Sequence, residues 1–311
     1  MGDNPWCVMF AGQSVQERGM GAQLWKRAPS REVLELLKRS LGDDLEYLMT
    51  AMPDPELAKT YNAQRAIHAH HVANWVLYRR LRPETELRGA VGHSMGVVAA
   101  LVAAEAMTVE DSGIFIRARA QAFSDVCAAF PEPQGMAAVS SEELDAALDE
   151  VKAFPGVALA LHNTATKAVI GGAVKDLEAF AAKAAAEDWP LRIKLLKVEG
   201  PYHTSAFKPC REPLQAALER IRIQSPRVPV FMGTSGKKET EPSRIKELLV
   251  DQAESRELHL DAVRAAYADG CRDFLEVAYR PQPITWLRDQ LTPDQAASIT
   301  ASAVSTEELS A

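Results

Sequence analysis

Cysteine, aromatic residues and basic charge are all scarce in this chain, and each shortage narrows what it can be. The four cysteines, Cys7, Cys127, Cys210 and Cys271, lie far apart in 311 residues and form no C-x-x-C pair. That spacing argues against zinc sites and a disulfide framework and fits reduced thiols in a cytoplasmic protein. Aromatic residues make up only 6%, and no run reaches about 18 uninterrupted apolar positions, so no segment reads as a membrane-spanning helix. The first residues lack the basic-then-apolar order of a secretory leader. Thirty-five Lys and Arg against 42 Asp and Glu leave a net charge of -7, which offers no global positive field for nucleic acid. No internal repeat or low-complexity stretch is present.

Apolar residues are plentiful at 47%, enough to bury one large domain or a domain with an inserted lobe. The order of periodicities suggests the second arrangement. WCVMFA (6–11) reads as a buried strand entering a glycine turn. Helical spacing follows over 30–41, with Ser30 placed as an N-cap, and one or two helices over 55–82. A strand at 88–91 then leads into a helix expected to begin at Ser94. Residues 135–199 read strand, helix, two strands, helix, strand, with Ser140 and Glu143 as a capping box. That order is the split βαβ, or ferredoxin-like, signature. After Gly200, helices alternate with the strands VPVFMG and DFLEV, which implies a mainly parallel sheet covered on both faces. The stretch from about Thr292 is expected to fray. The division is therefore 1–134 with 200–311 as a large α/β domain, and 135–199 as an inserted ferredoxin-like subdomain.

Ser94 stands in GHSMG (92–96), where the strand pattern gives way to the helix. G-x-S-x-G on such a turn is a nucleophile elbow: small neighbours tolerate the strained backbone and the hydroxyl stands at the carboxyl edge of the sheet. The amides at the start of the following helix lie where negative charge forms in acyl transfer.

Further segments share a register with this one: FAGQSVQERGMG (10–21), RAQAF (119–123), HNTATKAVIGG (162–172), GPYHTSAFKP (200–209) and DFLEV (273–277). Together with GHSMG they follow the order and spacing of the malonyl-CoA:acyl carrier protein transacylases, a family this chain resembles over about residues 6–290. The resemblance implies an α/β-hydrolase-like large domain interrupted by a ferredoxin-like one. It also implies roles: Ser94 as nucleophile, His203 as its base, the backbone amides of Gln13 and Met95 as oxyanion hole, and Gln252 orienting the histidine. Arg119 would pair with the malonyl carboxylate, and its neighbour Arg117 is a decoy two residues earlier. The implied partners are malonyl-CoA and an acyl carrier protein, with no cofactor beyond the coenzyme A of the substrate, no metal, no nucleic acid and no membrane. Lys194, Lys197 and Lys208, with Lys237 and Lys238 further on, could form a basic rim for an acidic carrier.

Three departures from the family pattern bear on rate and acyl preference. Ser14 replaces a glycine in the family's GQGSQ, Val97 replaces the glutamate that follows GHSxG, and EVAYRP replaces EVGPG. The rival readings are a plain serine esterase or thioesterase, whose late histidine would have to be His259, and an acyl hydrolase of the family's own fold and the same Ser-His machinery that delivers the acyl-serine to water, against which Arg119 argues. His68, His70 and His71 are close enough in sequence to suggest a metal, but no carboxylate or cysteine completes a set, so packing roles are expected.

Overall fold

The structure is a computed structural model that describes residues 5–310. Strand β1 (Trp6–Phe10) is buried along its whole length because parallel neighbours and helices cover it on every side. Beside it lie β2 (Leu87–Gly92), the small-sheet strands β3 (Gln134–Ser140), β4 (Val157–Thr164), β5 (Lys167–Ala173) and β6 (Arg192–Leu195), and then β7 (Val230–Met232), β8 (Lys237–Glu239), β9 (Asp273–Ala278) and β10 (Thr300–Ser305) in chain order. The large sheet has the order β10-β9-β1-β2-β7-β8 and is parallel except for the β7–β8 pair. The small sheet has the antiparallel order β4-β5-β3-β6, and all its strands come from 134–195. The fold is α/β-hydrolase-like with a ferredoxin-like subdomain.

Most elements stand where periodicity puts them, and the exceptions have local causes. Ser30 lies inside the helix Ala28–Leu41 rather than capping it, and its hydroxyl donates to the carbonyls of Leu24 and Arg27. The capping box at Ser140 and Glu143 does not form: the Glu143 N–H goes to Ser141 Oγ, and the helix starts at Leu144. The helix after the elbow starts at Gly96, not Ser94, and stops at Ala103. A turn with Glu105 at φ +56 then separates it from the long helix Val109–Ala129, which Thr108 caps by accepting the Asp111 N–H. Residues 293–310 form regular elements rather than fraying. Thr292 and Gln295 form a capping box, and β10 pairs with β9 along its full length.

The three neighbouring histidines turn to separate partners inside the helix Thr60–Leu81: His68 to Ser112 Oγ, His70 to Thr306 Oγ1, and His71 to the Ala11 carbonyl. Among the described residues no three His, Cys, Asp or Glu side chains are placed to hold a metal ion, and no helix is long and apolar enough to cross a membrane.

Candidate active site

The end of β2 runs straight into the elbow, and two glycines make the turn possible. A Cβ at Gly92 would overlap the Val97 backbone nitrogen, and one at Gly96 would collide with the Phe10 carbonyl. Between them Ser94 takes φ +50, a left-handed conformation that costs on the order of 1–3 kcal/mol and persists only where surroundings enforce it. The Ser94 Oγ sits 2.7 Å from His203 Nε2. His203 is itself left-handed, at φ +62, with its N–H donating to the Ala253 carbonyl. Its Nδ1 lies 2.9 Å from the Gln252 carbonyl oxygen, which can only accept. Nδ1 therefore carries the ring proton, and Nε2 is left to accept the serine's.

Gln252 touches each of the main groups. Its carbonyl orients His203, its Nε2 donates to the Ser94 carbonyl at 3.0 Å, and its Oε1 accepts from Arg119 Nη2 at 3.3 Å. The second Arg119 bond is shorter, 2.6 Å from Nη1 to Gln64 Oε1, and the guanidinium lies over the Phe123 ring. Arg119 is 2% exposed and has no carboxylate within ion-pair distance among the described residues, whereas Arg117 points outward and meets only the Ser40 carbonyl. Burial lowers the Arg119 pKa to about 10, so it stays a cation at neutral pH. Burial, with Arg119 and His93 adding repulsion, pushes His203 down to about 3 and keeps it a neutral base.

The Met95 amide lies between two that are occupied: Ser94 N–H donates to Glu257 Oε1, and Gly96 N–H to the His93 carbonyl. Met95 N–H itself enters no internal hydrogen bond among the described residues. Gln13 and Ser14 line the same cleft as Ser94 and His203. Ser14 adopts φ +97, so it holds the backbone shape that the family's glycine takes freely, and Gln16 Oε1 accepts its N–H. The EVAYRP loop is also pinned. Glu276 accepts the N–H groups of Gln282 and Ile284, and Arg280 pairs with Glu17 from the loop that carries Gln13.

The cleft has a volume of about 500 Å³. The elbow and His203 form its floor, and Met136, Leu161 and Val169 of the small sheet, with Trp286, give it apolar walls. Of the lysines expected at a basic rim only Lys194 lines it, joined by Lys167 and Arg192; Lys197, Lys208 and the β8 residues Lys237 and Lys238 do not. His259 is buried against His93 and Trp286, has no hydrogen-bond partner and makes no bond to Ser94. The rival reading that needed it as the base loses its histidine.

Sequence reasoning missed two residues, Asn163 and Glu257. Gln64, the main tether of Arg119, falls near the family's QPA segment, where Arg65 replaces the proline, and the resemblance gives it only a supporting role. Asn163, whose Oδ1 meets His93 Nε2 at 3.0 Å, lies inside the HNTATKAVIGG segment without a role apparent from sequence. Glu257 carried no sequence signal at all.

A serine–histidine pair on a strained elbow, backed by a buried cation and a free amide, defines an acyl-transfer site on an α/β-hydrolase-like scaffold. The sequence profile of the acyl transferase domain family matches residues 7–306. The chain is 31% identical over 275 residues to the malonyl CoA-acyl carrier protein transacylase of Bacillus subtilis (strain 168), covering 86% of this chain and 85% of that protein. It is 30% identical over 279 residues to the transacylase of the same name from Haemophilus influenzae, covering 88% of each. The acyl-carrier-protein-S-malonyltransferase of Bartonella henselae superposes with a TM-score of 0.87 over 98% of this chain and 97% of that one, at 24% identity, and shows the shared fold. The chain belongs to the malonyl-CoA:acyl carrier protein transacylase family.

Proposed function

We propose that the protein moves a malonyl group from malonyl-CoA, through an ester on Ser94, to the phosphopantetheine thiol of an acyl carrier protein. The observation that carries this reading is the 2.7 Å contact between Ser94 Oγ and a His203 ring whose other nitrogen is held by Gln252. His203 takes the serine proton as Oγ attacks the thioester carbonyl, then returns it to the departing coenzyme A sulfur. The Met95 and Gln13 amides receive the oxyanion, each such donor being worth about 2.7–4 kcal/mol. The carrier's thiol then gives its proton to His203 and attacks the ester, which regenerates Ser94. Coenzyme A enters as part of the substrate, and the reading invokes no resident cofactor.

Arg119 receives the malonyl carboxylate. A guanidinium already buried without a carboxylate partner gains by pairing with one, and the long bond to Gln252 is the one that yields while Gln64 keeps hold. Lys167, Arg192 and Lys194 at the cleft favour approach of an acidic carrier. The widely spaced, unpaired cysteines are consistent with work in the cytoplasm. The test separates transferase from hydrolase: malonyl-loaded protein is mixed with holo carrier protein or with buffer alone. Rapid transfer to the carrier and slow loss to water support the reading; loss to water at the same rate with or without carrier overturns it.

A further inference from the structure

Glu257 is fully buried in the segment between the helices Pro242–Asp251 and His259–Ala268, and no part of the reaction above uses it. Its side chain and its backbone point to different parts of the molecule. Oε1 accepts the Ser94 N–H at 3.0 Å, which is the backbone amide of the nucleophile itself. Its N–H donates to the Ala160 carbonyl at 2.9 Å, and its carbonyl accepts the His162 N–H at 2.8 Å, so its main chain extends β4 of the small sheet by one bridge. The side chain occupies the space that a Cβ on Gly233, just past β7, would fill. One residue therefore joins the elbow, the small-sheet wall of the cleft and the end of β7.

The arrangement is expensive for the fold. Oε2 is buried with no hydrogen-bond partner, and burial raises the carboxyl pKa to about 7 against the pull of the Ser94 amide and Arg119. A buried, half-satisfied carboxyl is a poor choice for stability alone, since an apolar side chain of similar volume is often neutral or better. Meanwhile the helix that starts at the elbow has no acid beside the serine: Val97 is there, fully buried and apolar. Among the described residues the one carboxylate that touches the Ser94 backbone arrives from a segment 163 residues away.

We propose that Glu257 is a positioning residue that locks the left-handed Ser94 by accepting its N–H while its main chain ties β4 to the same point, so that the nucleophile and the small-sheet wall of the acyl cleft keep one fixed spacing. The proposal rests on Ser94 being the nucleophile of the reaction above. Its basis is geometric: φ +50 at Ser94 needs enforcement, and Glu257 accepts that residue's own amide. A misplacement of about 1 Å at a reacting atom costs roughly 100-fold in rate, which sets the scale of the expected effect.

The test compares wild type with Glu257→Met, which keeps length and volume but has no acceptor oxygen, and Glu257→Gln, which keeps an acceptor at Oε1. Single-turnover malonylation, the KM for malonyl-CoA, labelling of Ser94 by a fluorophosphonate and the thermal midpoint are measured on each. The expected pattern is a loss of roughly 10- to 100-fold in malonylation and labelling for the Met variant, with KM within about twofold and the thermal midpoint unchanged or higher. The Gln variant recovers to within about threefold of wild type on both rates, each tenfold being one step of about 1.4 kcal/mol. Wild-type labelling of the Met variant overturns the proposal, as does a Gln variant no better than Met or a Met variant that fails to fold. A wild type that labels normally but refuses malonyl-CoA would instead sink the malonyl reading, so the two failures are distinguishable.

Discussion

Arg119 and Arg117 differ by two positions and by everything that matters. On the helix Val109–Ala129 a two-residue step turns a side chain to a different face, so one arginine is buried beneath the site and the other is exposed. In sequence only the family resemblance, with its spacing from Ser94, favours Arg119 over Arg117. If Arg119 pairs with the malonyl carboxylate as proposed, its replacement with alanine leaves that charge unpaired at a cost of about 3–5 kcal/mol, so malonyl loading is expected to fall by at least about 100-fold while acetyl loading is spared or rises. Mass measurement of the acyl-enzyme with each acyl-CoA reads this directly. His203 supplies a second expectation at this scale. Its pKa is lowered to about 3, so the neutral, proton-accepting form persists as pH falls and is lost only on passing through that folded value. The acid limb of kcat/KM for malonyl loading therefore lies below about pH 5, well under the ordinary imidazole value of about 6.5. A limb near 6.5 would mean that the ring is far more hydrated than its burial implies. Glu257 marks the limit of reading residues one at a time: nothing in RELHL separates it from a solvated acid, because its partner is a backbone amide brought up by the fold.

At the scale of elements, the strands that carry long apolar runs were legible and the weakly patterned ones were not. WCVMF and DFLEV became β1 and β9 in the core, and the β-α-β-β-α-β order of the small sheet followed from alternation and turns. KKE gave no sign of β8, since an edge strand of charged residues reads as loop. TASAVS, small and partly polar, looked like a fraying tail, yet it forms β10 because β9 offers a complete row of backbone partners. Strand β9 is buried at all six positions, so removal of residues 299–311 would turn an apolar central strand into an edge. That truncation also takes away Thr306, the partner of His70. It is expected to lower the thermal midpoint and to produce aggregates in size-exclusion chromatography. A monodisperse truncated protein with an unchanged midpoint would show that β10 contributes nothing to the sheet.

The whole molecule stores its histidines in an unusual way, since six of the seven are buried. Burial lowers the pKa of His68, His70, His71, His93, His203 and His259, to about 3 or 4 where the shift is least extreme. Below the unfolded value of about 6.5 the unfolded chain binds protons that the folded chain refuses, so stability falls as pH falls. Glu257 and Glu276 act the other way, because burial raises them to about 7 and about 8 and the folded chain keeps protons that the unfolded one releases. Six groups against two leave the histidines in control on the acid side, at about 1.4 kcal/mol per pH unit for each net proton. The thermal midpoint should therefore decline steadily as pH is lowered from about 6.5 to about 5. A flat profile would show that these rings are not held neutral. The family resemblance singled out Ser94, His203, Arg119 and Gln252 across the chain, and the fold brings the four together. How Gln252 serves three of these groups at once could emerge only in three dimensions, since its carbonyl, amide and oxygen point in separate directions.

The most direct measurement is the mass of the intact protein after brief exposure to malonyl-CoA, with the modified residue located by peptide mapping, for wild type, Ser94→Ala and His203→Ala. One malonyl group on Ser94 in the wild type, none in the serine variant and strongly slowed loading in the histidine variant is the expected result. A malonyl group on another residue, or undiminished loading of Ser94 without His203, would contradict the account.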